Sequence, residues 1–335
     1  MTHVPLDRLS HVTRFALMKH GAAEWVADQV ARAVVEAEAT GNRICGLAYL
    51  ESYCQQLRSG RVDGHAEPQV SQPRPGLVSV DARMGFAQPA FARGLPSAVE
   101  AARTNGTAAL AVGHSHTATA LGFFTGQIAR AGMIGLGVTN ATPRVAPPGG
   151  RVPVIGTNPI AFSVPDAQGN VVLQFDQSTT TVALGTIMAA REAGQPIPEG
   201  WARDAEGRAT TDPAAALDGG SLASAGGHKG WGLGLMVEIL AAGMTGSLLS
   251  KDIHPLIAPE GRHMTSASST CWSTPPPRPV SATACRRSPL PSRQTKARAC
   301  PASTAASPIR SRCPTRSGNW PSGSRPDQAA RPSPM

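Results

Sequence analysis

The sequence predicts a mixed α/β fold with a helical N-terminal domain, a mixed-sheet domain and a disordered C-terminal tail. Two observations support the α/β class. Apolar residues recur at helical spacing over residues 9–38, and short apolar runs with strand character alternate with helical segments further along. A third observation sets the tail apart, because residues 262–335 are rich in Arg, Pro and Ser and contain few branched aliphatic side chains.

The N-terminal domain, residues 1–75, is predicted to be helical. Gly41 ends the helical stretch at 9–38, because glycine is favoured where a helix stops. A second helix is predicted over residues 45–60, again closed by a glycine. The Pro-rich segment 68–75 is interpreted as the boundary with the next domain.

The second domain, residues 76–261, alternates strands and helices. The predicted strands lie at 77–82, 108–113, 133–140, 153–165 and 170–178. The predicted helices lie at 95–105, 121–132, 183–194 and 228–246. Residues 201–217 contain Asp, Gly and Pro at close spacing, which indicates a polar turn region.

Composition and charge exclude several classes of protein. No apolar run approaches the roughly 20 residues that a membrane span needs, so we expect no membrane contact. The first 21 residues contain no continuous apolar core, so we expect no secretory signal and a cytoplasmic location. The net charge of +9 is typical of nucleic-acid binding, but residues 262–335 carry +11, which leaves −2 on the rest.

The basic tail has two interpretations. It is either a low-complexity segment that contacts nucleic acid or an acidic surface, or the product of a reading-frame slip in a GC-rich gene. Moving the frame back by one base across residues 263–274 permits an apolar, strand-like translation, and we therefore favour the frame slip. Four of the six cysteines lie in this tail without a paired zinc-binding spacing, whereas Cys45 and Cys54 are expected to be free thiols.

Three glycine-rich turns are candidates for ligand binding. They are PPGG at 147–150, GTNP at 156–159 and GGHKG at 226–230, each at the end of a predicted element. Each alone is explained by a tight turn, but three together indicate backbone amides directed at an anionic ligand. Lys229 would add a positive charge for a phosphate.

Two polar strand ends are further candidates. His116 follows the apolar strand 108–113, and an imidazole there suits proton transfer because its pKa lies near neutrality. A polar loop histidine is the alternative, and no third ligand with metal-binding spacing accompanies it. Asp176, Gln177 and Ser178 follow another predicted strand, where they suit a ribose or phosphate; a simple Asx or Ser turn is the alternative.

The order of these motifs resembles one family. GHSH at 113–116, TNATP at 139–143, GTNP, FDQS at 175–178, TTDP at 210–213 and GGHKG occur in the order found in the malate/L-lactate dehydrogenase family that lacks a Rossmann domain. That family includes ureidoglycolate dehydrogenase, sulfolactate dehydrogenase and Δ1-piperideine-2-carboxylate reductase. The resemblance covers roughly residues 5–261, and the ordered set is far more specific than any single motif.

The resemblance implies an NAD(P)-dependent oxidoreductase that acts on a small 2-hydroxy or 2-imino acid, and a homodimer. It implies that NAD or NADP binds near His116, Thr117, Asp176–Ser178 and Lys229, and that Thr157 lies on the substrate side. The nicotinamide carries the hydride, and a general base must take the proton of the substrate hydroxyl. His116 is our candidate for that catalytic role.

The chain departs from the family where many members carry Ser-His-Gly followed by Arg. Here the stretch runs from Ile44 to Tyr49 and lacks the Ser, the His and the Arg, so the family's serine–histidine relay is not carried over. We expect Cys45 to shape the substrate pocket, with buried packing as the alternative. Arg43 and Arg144 are candidates for the substrate carboxylate, although no motif supports either and a surface position is favoured for both.

Three functional hypotheses remain open. The first is a 2-hydroxy-acid dehydrogenase of the sulfolactate, malate or lactate type. The second is an NADPH-dependent reductase of cyclic imino acids such as Δ1-piperideine-2-carboxylate. The third, from another class, is an inactive chain or a protein that binds nucleic acid through its basic tail; a nucleic-acid partner is disfavoured by the charge of the first 261 residues.

Overall fold

A computed structural model describes residues 3–116 and 118–254, together with the backbone of Ser266–Thr274. These residues all belong to one compact unit, Met1–Arg286. In the part of the chain so described, no helix is long and apolar enough to cross a membrane.

The N-terminal helices are three, where the sequence predicted two. α1 (Leu6–Lys19) and α2 (Glu24–Ala39) form a hairpin, and α3 (Leu50–Arg58) follows two short 3-10 turns. The stretch predicted as one helix is broken at Gly21, whose φ of 105° is incompatible with a continuing helix. The helices pack on a core that includes Leu17, Val26, Val30, Tyr53 and Phe86.

The Pro-rich segment forms a strand, and its interpretation as a domain boundary stays a prediction. β1 (Gln69–Arg74) pairs antiparallel with β2 (Leu77–Asp81) at the edge of the main sheet. An edge strand tolerates Pro73 because the missing N–H is not needed by a neighbour on its outer side. A register shift between Ser71 and Arg74 accommodates it.

The main sheet is mixed, as predicted. Its remaining strands are β3 (Ala108–Ser115), β4 (Ile134–Val138), β5 (Ile160–Pro165), β6 (Val171–Gln177) and β10 (Ser266–Thr274). The strand order is β1-β2-β3-β10-β4-β5-β6. Only the pair of β2 and β3 is parallel, and every other named neighbour pair in this sheet is antiparallel.

The position of β10 corrects part of the tail prediction. Ser266–Thr274 lie within the stretch predicted to be disordered, yet their backbone pairs with β3 on one side and β4 on the other. Strand pairing uses backbone groups that every residue except Pro provides, so composition alone did not reveal it. The rest of the predicted tail lies outside the described residues.

Two helices cover the main sheet. α4 (Ala87–Asn105) packs against β2 and β3, and α5 (Gly122–Arg130) packs against β4 and β5. α4 begins eight residues earlier than predicted, and Pro89 is tolerated because it lies in the first helical turn. The core between the layers includes Val80, Phe91 and Leu110.

A second, small sheet lies in the predicted turn region. β7 (Ala202–Arg203), β8 (Ala209–Thr210) and β9 (Ser221–Leu222) form it, and α7 (Pro213–Leu217) lies between the last two. α6 (Leu184–Glu192) and α8 (His228–Glu238) complete this part, and α8 continues into one π-helical turn at Ile239–Gly243. The core here includes Ile155, Ile187 and Ile197.

Candidate active site

A cleft of about 630 Å³ lies beside the ends of β4 and β6. Its walls come mainly from residues 42–49, the loop 139–144 after β4, the GTNP loop and residues 176–185. The predicted strand at 153–165 begins only at Ile160, so GTNP is a loop that precedes β5 and borders the cleft. Strand ends and the loops that follow them are where α/β proteins commonly place ligands.

The cleft brings together six of the residues singled out by the sequence. They come from distant parts of the chain and are Cys45, Arg144, Thr157, Asp176, Gln177 and Ser178. Their roles stay predictions. Thr117 lies outside the described residues, and His116 and Lys229 do not line this cleft.

Asp176 is positioned by the start of α5. Its Oδ2 accepts a hydrogen bond of 2.9 Å from the backbone N–H of Gly122. A helix N-terminus stabilises a carboxylate through its free N–H groups and its dipole. Burial raises the pKa of Asp176, and the bonds from Gly122 and Leu121 oppose that shift.

Cys45 and Tyr49, which lie on the two 3-10 turns, also line the cleft. Burial, and then the nearby charge of Asp176, raise the pKa of Cys45 to about 11. Burial also raises the pKa of Tyr49. Both groups therefore hold their protons at neutral pH, and they offer the cleft neutral donors. A thiol with a raised pKa is a poor nucleophile. No disulfide links Cys45 to Cys54, which are both free thiols as predicted.

Glu238 fixes two loops of the cleft from behind. This carboxylate is only 3% exposed, at the end of α8, and it accepts hydrogen bonds from Nδ2 of Asn140 at 3.2 Å and Nδ2 of Asn158 at 2.8 Å. Ser250 adds bonds from its backbone N–H, at 2.6 Å, and from its hydroxyl. A buried carboxylate needs such donors. Sequence reasoning missed Glu238, which sits within an apolar stretch of helix without any motif around it.

Hydroxyl groups line the floor near Thr157. The Thr179 hydroxyl and backbone N–H both donate to the Thr157 carbonyl, at 3.0 and 2.9 Å. Ser178 and Thr180 share a hydroxyl–hydroxyl bond of 2.8 Å. These bonds hold the GTNP loop against the segment after β6, so the hydroxyl groups have fixed positions.

His116 is buried rather than placed in the cleft. The side chain is 1% exposed, and its ring packs edge-on against Tyr53 and Phe86 with centroid distances of 6.0 and 5.6 Å. Burial, and then the charge of Arg61, lower the pKa of His116 to about 3. The ring is therefore neutral at physiological pH, and it lies outside the lining of the cleft.

His116 is one contact removed from the cleft. The ring of Tyr53 packs on the imidazole. The hydroxyl of Tyr53 donates a hydrogen bond of 3.2 Å to Oγ1 of Thr119, and Thr119 lines the cleft. Neither ring nitrogen of His116 has a hydrogen-bond partner among the described residues. A role for His116 in proton transfer stays a prediction.

The three glycine-rich turns divide between two cavities instead of converging. GTNP borders the cleft, whereas PPGG and Gly227 and His228 of GGHKG line a separate cavity of about 680 Å³. Lys229 is exposed in the first turn of α8. Spacing along the chain does not reveal which of these loops line the same cavity.

The cleft carries unpaired polar groups of the kind that a bound ligand satisfies. Two polar atoms on its wall, Oδ1 of Asn140 and Nε of Arg144, are buried without a hydrogen-bond partner among the described residues. Such orphaned groups are costly unless a ligand or water satisfies them. The volume is in the usual range for a cavity that binds small molecules.

Comparison with known proteins decides the family. The family model for malate/L-lactate dehydrogenase matches residues 4–277. The chain belongs to this malate/L-lactate dehydrogenase family. The resemblance drawn from the ordered motifs is confirmed, and the protein is an NAD(P)-dependent oxidoreductase.

Curated members of the malate/L-lactate dehydrogenase family are close in sequence. The chain is 44% identical over 246 residues to the (2R)-3-sulfolactate dehydrogenase (NADP(+)) of Chromohalobacter salexigens, which covers 73% of each chain. It is 42% identical over 250 residues to the Δ1-pyrroline-2-carboxylate/Δ1-piperideine-2-carboxylate reductase of Pseudomonas putida, covering 75% of this chain and 73% of that one.

A solved structure of the family has the same fold. The Δ1-piperideine-2-carboxylate reductase of Pseudomonas syringae superposes with a TM-score of 0.78 at 36% identity, over 82% of both chains. The sulfolactate dehydrogenase of Methanocaldococcus jannaschii superposes with a TM-score of 0.73 at 27% identity, over 82% of this chain and 78% of that one. The predicted family fold is thereby confirmed.

Proposed function

We propose that the protein transfers hydride between NADP or NAD and a small 2-hydroxy acid of the sulfolactate, malate or lactate type. One observation carries this proposal: a single cleft gathers Cys45, Thr157, Asp176, Gln177 and Ser178. The sulfolactate dehydrogenase of C. salexigens, at 44% identity, supports the substrate class.

Each of these residues has a proposed task. A bound nicotinamide supplies the hydride chemistry, while the protein binds, orients and excludes water. Asp176, Gln177 and Ser178 hold the ribose of the cofactor through hydrogen bonds. Thr157 and Cys45 face the substrate, where the protonated thiol adds a neutral, compact wall.

His116 and Lys229 do not line the cleft, and Thr117 lies outside the described residues. His116 stays our candidate for the acid/base group, and it would act on the cleft through Tyr53 and Thr119. Thr117 and Lys229 stay candidates for cofactor binding. Lys229 suits the phosphates, which extend beyond a cleft of this size.

Reduction of a cyclic imino acid is the second candidate function. The reductases of P. putida and P. syringae favour it, since the former is 42% identical in sequence and the latter superposes with a TM-score of 0.78. The two functions share a carboxylate next to the reacting carbon. They differ in the atom that receives or gives up the proton, which is an oxygen in one and a nitrogen in the other.

A substrate panel tests both candidates on the full chain. Absorbance at the nicotinamide band follows NADP⁺ or NAD⁺ reduction with sulfolactate, malate and lactate, and NADPH or NADH oxidation with Δ1-pyrroline-2-carboxylate and Δ1-piperideine-2-carboxylate. Turnover of a hydroxy acid supports the first candidate. Turnover of imines alone would replace it by the second, and no turnover of any acid would contradict both.

We further propose a homodimer, a cytoplasmic location and a frame slip near residue 261. The composition of residues 262–335 supports the slip, and so does the match to the C. salexigens enzyme, which leaves about a quarter of both chains unmatched. Resequencing the gene across this point tests the slip, and the mass in solution against 34.6 kDa per chain tests the dimer.

A further inference from the structure

We propose that Arg144 binds the carboxylate of the substrate, an inference that rests on the proposed function. Arg144 lies in the loop after β4, immediately before the buried Val145. No motif drew attention to it, and the sequence favoured a surface position. The structure instead places the side chain, half-buried, on the wall of the cleft that Thr157 and Asp176 also line.

The charge of the cleft favours an anionic ligand at this point. Arg144 is the one cationic side chain among the described residues that line it, and Asp176 is the one acidic side chain. The Asp176 carboxylate is engaged by the N–H of Gly122, and no ion pair joins Arg144 to any acid in the described ranges 3–116 and 118–254. The guanidinium is thus available for a ligand.

A buried donor of Arg144 has no partner. Its Nε is shielded from solvent and makes no hydrogen bond within the described part of the chain. Nε and one terminal nitrogen form one of the edges through which a guanidinium grips a carboxylate with two parallel hydrogen bonds. A substrate carboxylate would satisfy this orphaned donor and pair with the charge at once.

The backbone holds Arg144 firmly in place. Its N–H donates to the carbonyl of Ile155 at 2.8 Å, and its own carbonyl accepts from the N–H of Leu222 at 2.8 Å. Ile155 directly precedes the GTNP loop, so the position of Arg144 is tied to that of Thr157. A carboxylate held by Arg144 would therefore lie at a fixed place relative to the predicted substrate hydroxyl.

The experiment compares R144Q and R144K with R43Q in the full chain. Arg43 is exposed, lies outside the cleft lining and is the other arginine that the sequence offered for this task, which makes it a matched control. For the acid that the panel identifies, we expect R144Q to raise KM about 10- to 100-fold, as loss of a charge-assisted pair predicts. We expect the KM of R144K to lie between that of R144Q and the unchanged KM of R43Q, since lysine keeps the charge but cannot form two parallel hydrogen bonds with a carboxylate.

Calorimetry on the NADP-saturated protein separates this inference from the proposed function. Oxamate carries a carboxylate, and oxamide replaces it by a neutral amide. We expect the unaltered chain to bind oxamate and not oxamide, and R144Q to lose oxamate binding while its thermal midpoint is kept. Equal binding of oxamate by R144Q, or no binding by the unaltered chain, would overturn the inference whether or not any acid is turned over.

The cofactor phosphates are the other source of an anion. The affinity for NADP, measured without substrate, distinguishes them from the substrate carboxylate. We expect R144Q to bind NADP as the unaltered chain does. A variant that loses NADP affinity and keeps its KM for the acid would assign Arg144 to the cofactor and contradict the proposal.

Discussion

At the residue scale, burial decides how His116 behaves toward protons. Its folded pKa is lowered to about 3, mainly by desolvation and then by Arg61, whereas an unfolded histidine titrates near 6.5. Below pH 6.5 the unfolded chain therefore binds a proton that the folded chain does not. The contribution that the neutral, buried His116 makes to the free energy of unfolding is fully present above pH 6.5, and it is lost as the pH drops toward 3.

This difference predicts an acid sensitivity that one substitution relieves. Between pH 7.5 and pH 5, His116 should cost the protein about 2 kcal/mol of stability. The H116Q variant cannot titrate at this position, so its free energy of unfolding should fall correspondingly less between pH 7.5 and pH 5. Its stability at pH 7.5 should be lower than that of the unaltered protein. Urea unfolding at both pH values measures the effect. Equal pH dependence in the two proteins would show that His116 is not buried as described.

Individual residues also show how much of the candidate site could be predicted from the sequence. Asp176 and its neighbours were found because a polar cluster at a strand end is visible in the sequence. Arg144 was only a candidate without a motif and Glu238 was missed, because the importance of both depends on what the fold places beside them. The burial of His116 is equally invisible, since it arises from Tyr53 and Phe86 on other elements.

At the element scale, α8 is held by close contacts at its first turn. A Cβ on Gly230 would lie 1.9 Å from the carbonyl oxygen of Ala225, whereas nothing lies within 4 Å of a Cβ on Gly232. Gly230, the last residue of GGHKG, thus permits α8 to start close against the preceding loop. The carboxyl end of the same helix carries Glu238, so a displaced α8 would disturb the loops that bear Asn140 and Asn158.

Two alanine variants of α8 should therefore diverge. G230A should lower the free energy of unfolding by about 1–3 kcal/mol, because overpacking against backbone cannot be relieved by a side-chain rotation. G232A should be neutral or raise stability by up to about 1 kcal/mol, because alanine favours the helix. Thermal midpoints of the two proteins decide the matter. A G230A protein as stable as G232A would remove the argument for close packing at this turn.

At the scale of the whole molecule, the fold class was predictable and the order of strands was not. Alternating apolar runs identified β2, β3 and β4, and the resemblance supplied the family. The basic composition of the last residues hid β10, which pairs with β3 and β4 and so connects the two halves of the main sheet. Pairing of backbone groups across sequence-distant strands leaves no local signal in residue type.

The place of β10 predicts where the chain can be shortened. A chain that ends at Gly261 lacks this strand, and the facing N–H and C=O groups of β3 and β4 lose their partners in the middle of the sheet. Because unpaired buried backbone groups are costly, we expect that chain to lose cooperative unfolding and to aggregate. A chain that ends at Arg286, the last residue of the compact unit, keeps the strand and should unfold with the midpoint of the full chain. Circular dichroism during heating compares the three lengths, and a cooperative transition in the Gly261 chain would show that the sheet does not depend on β10.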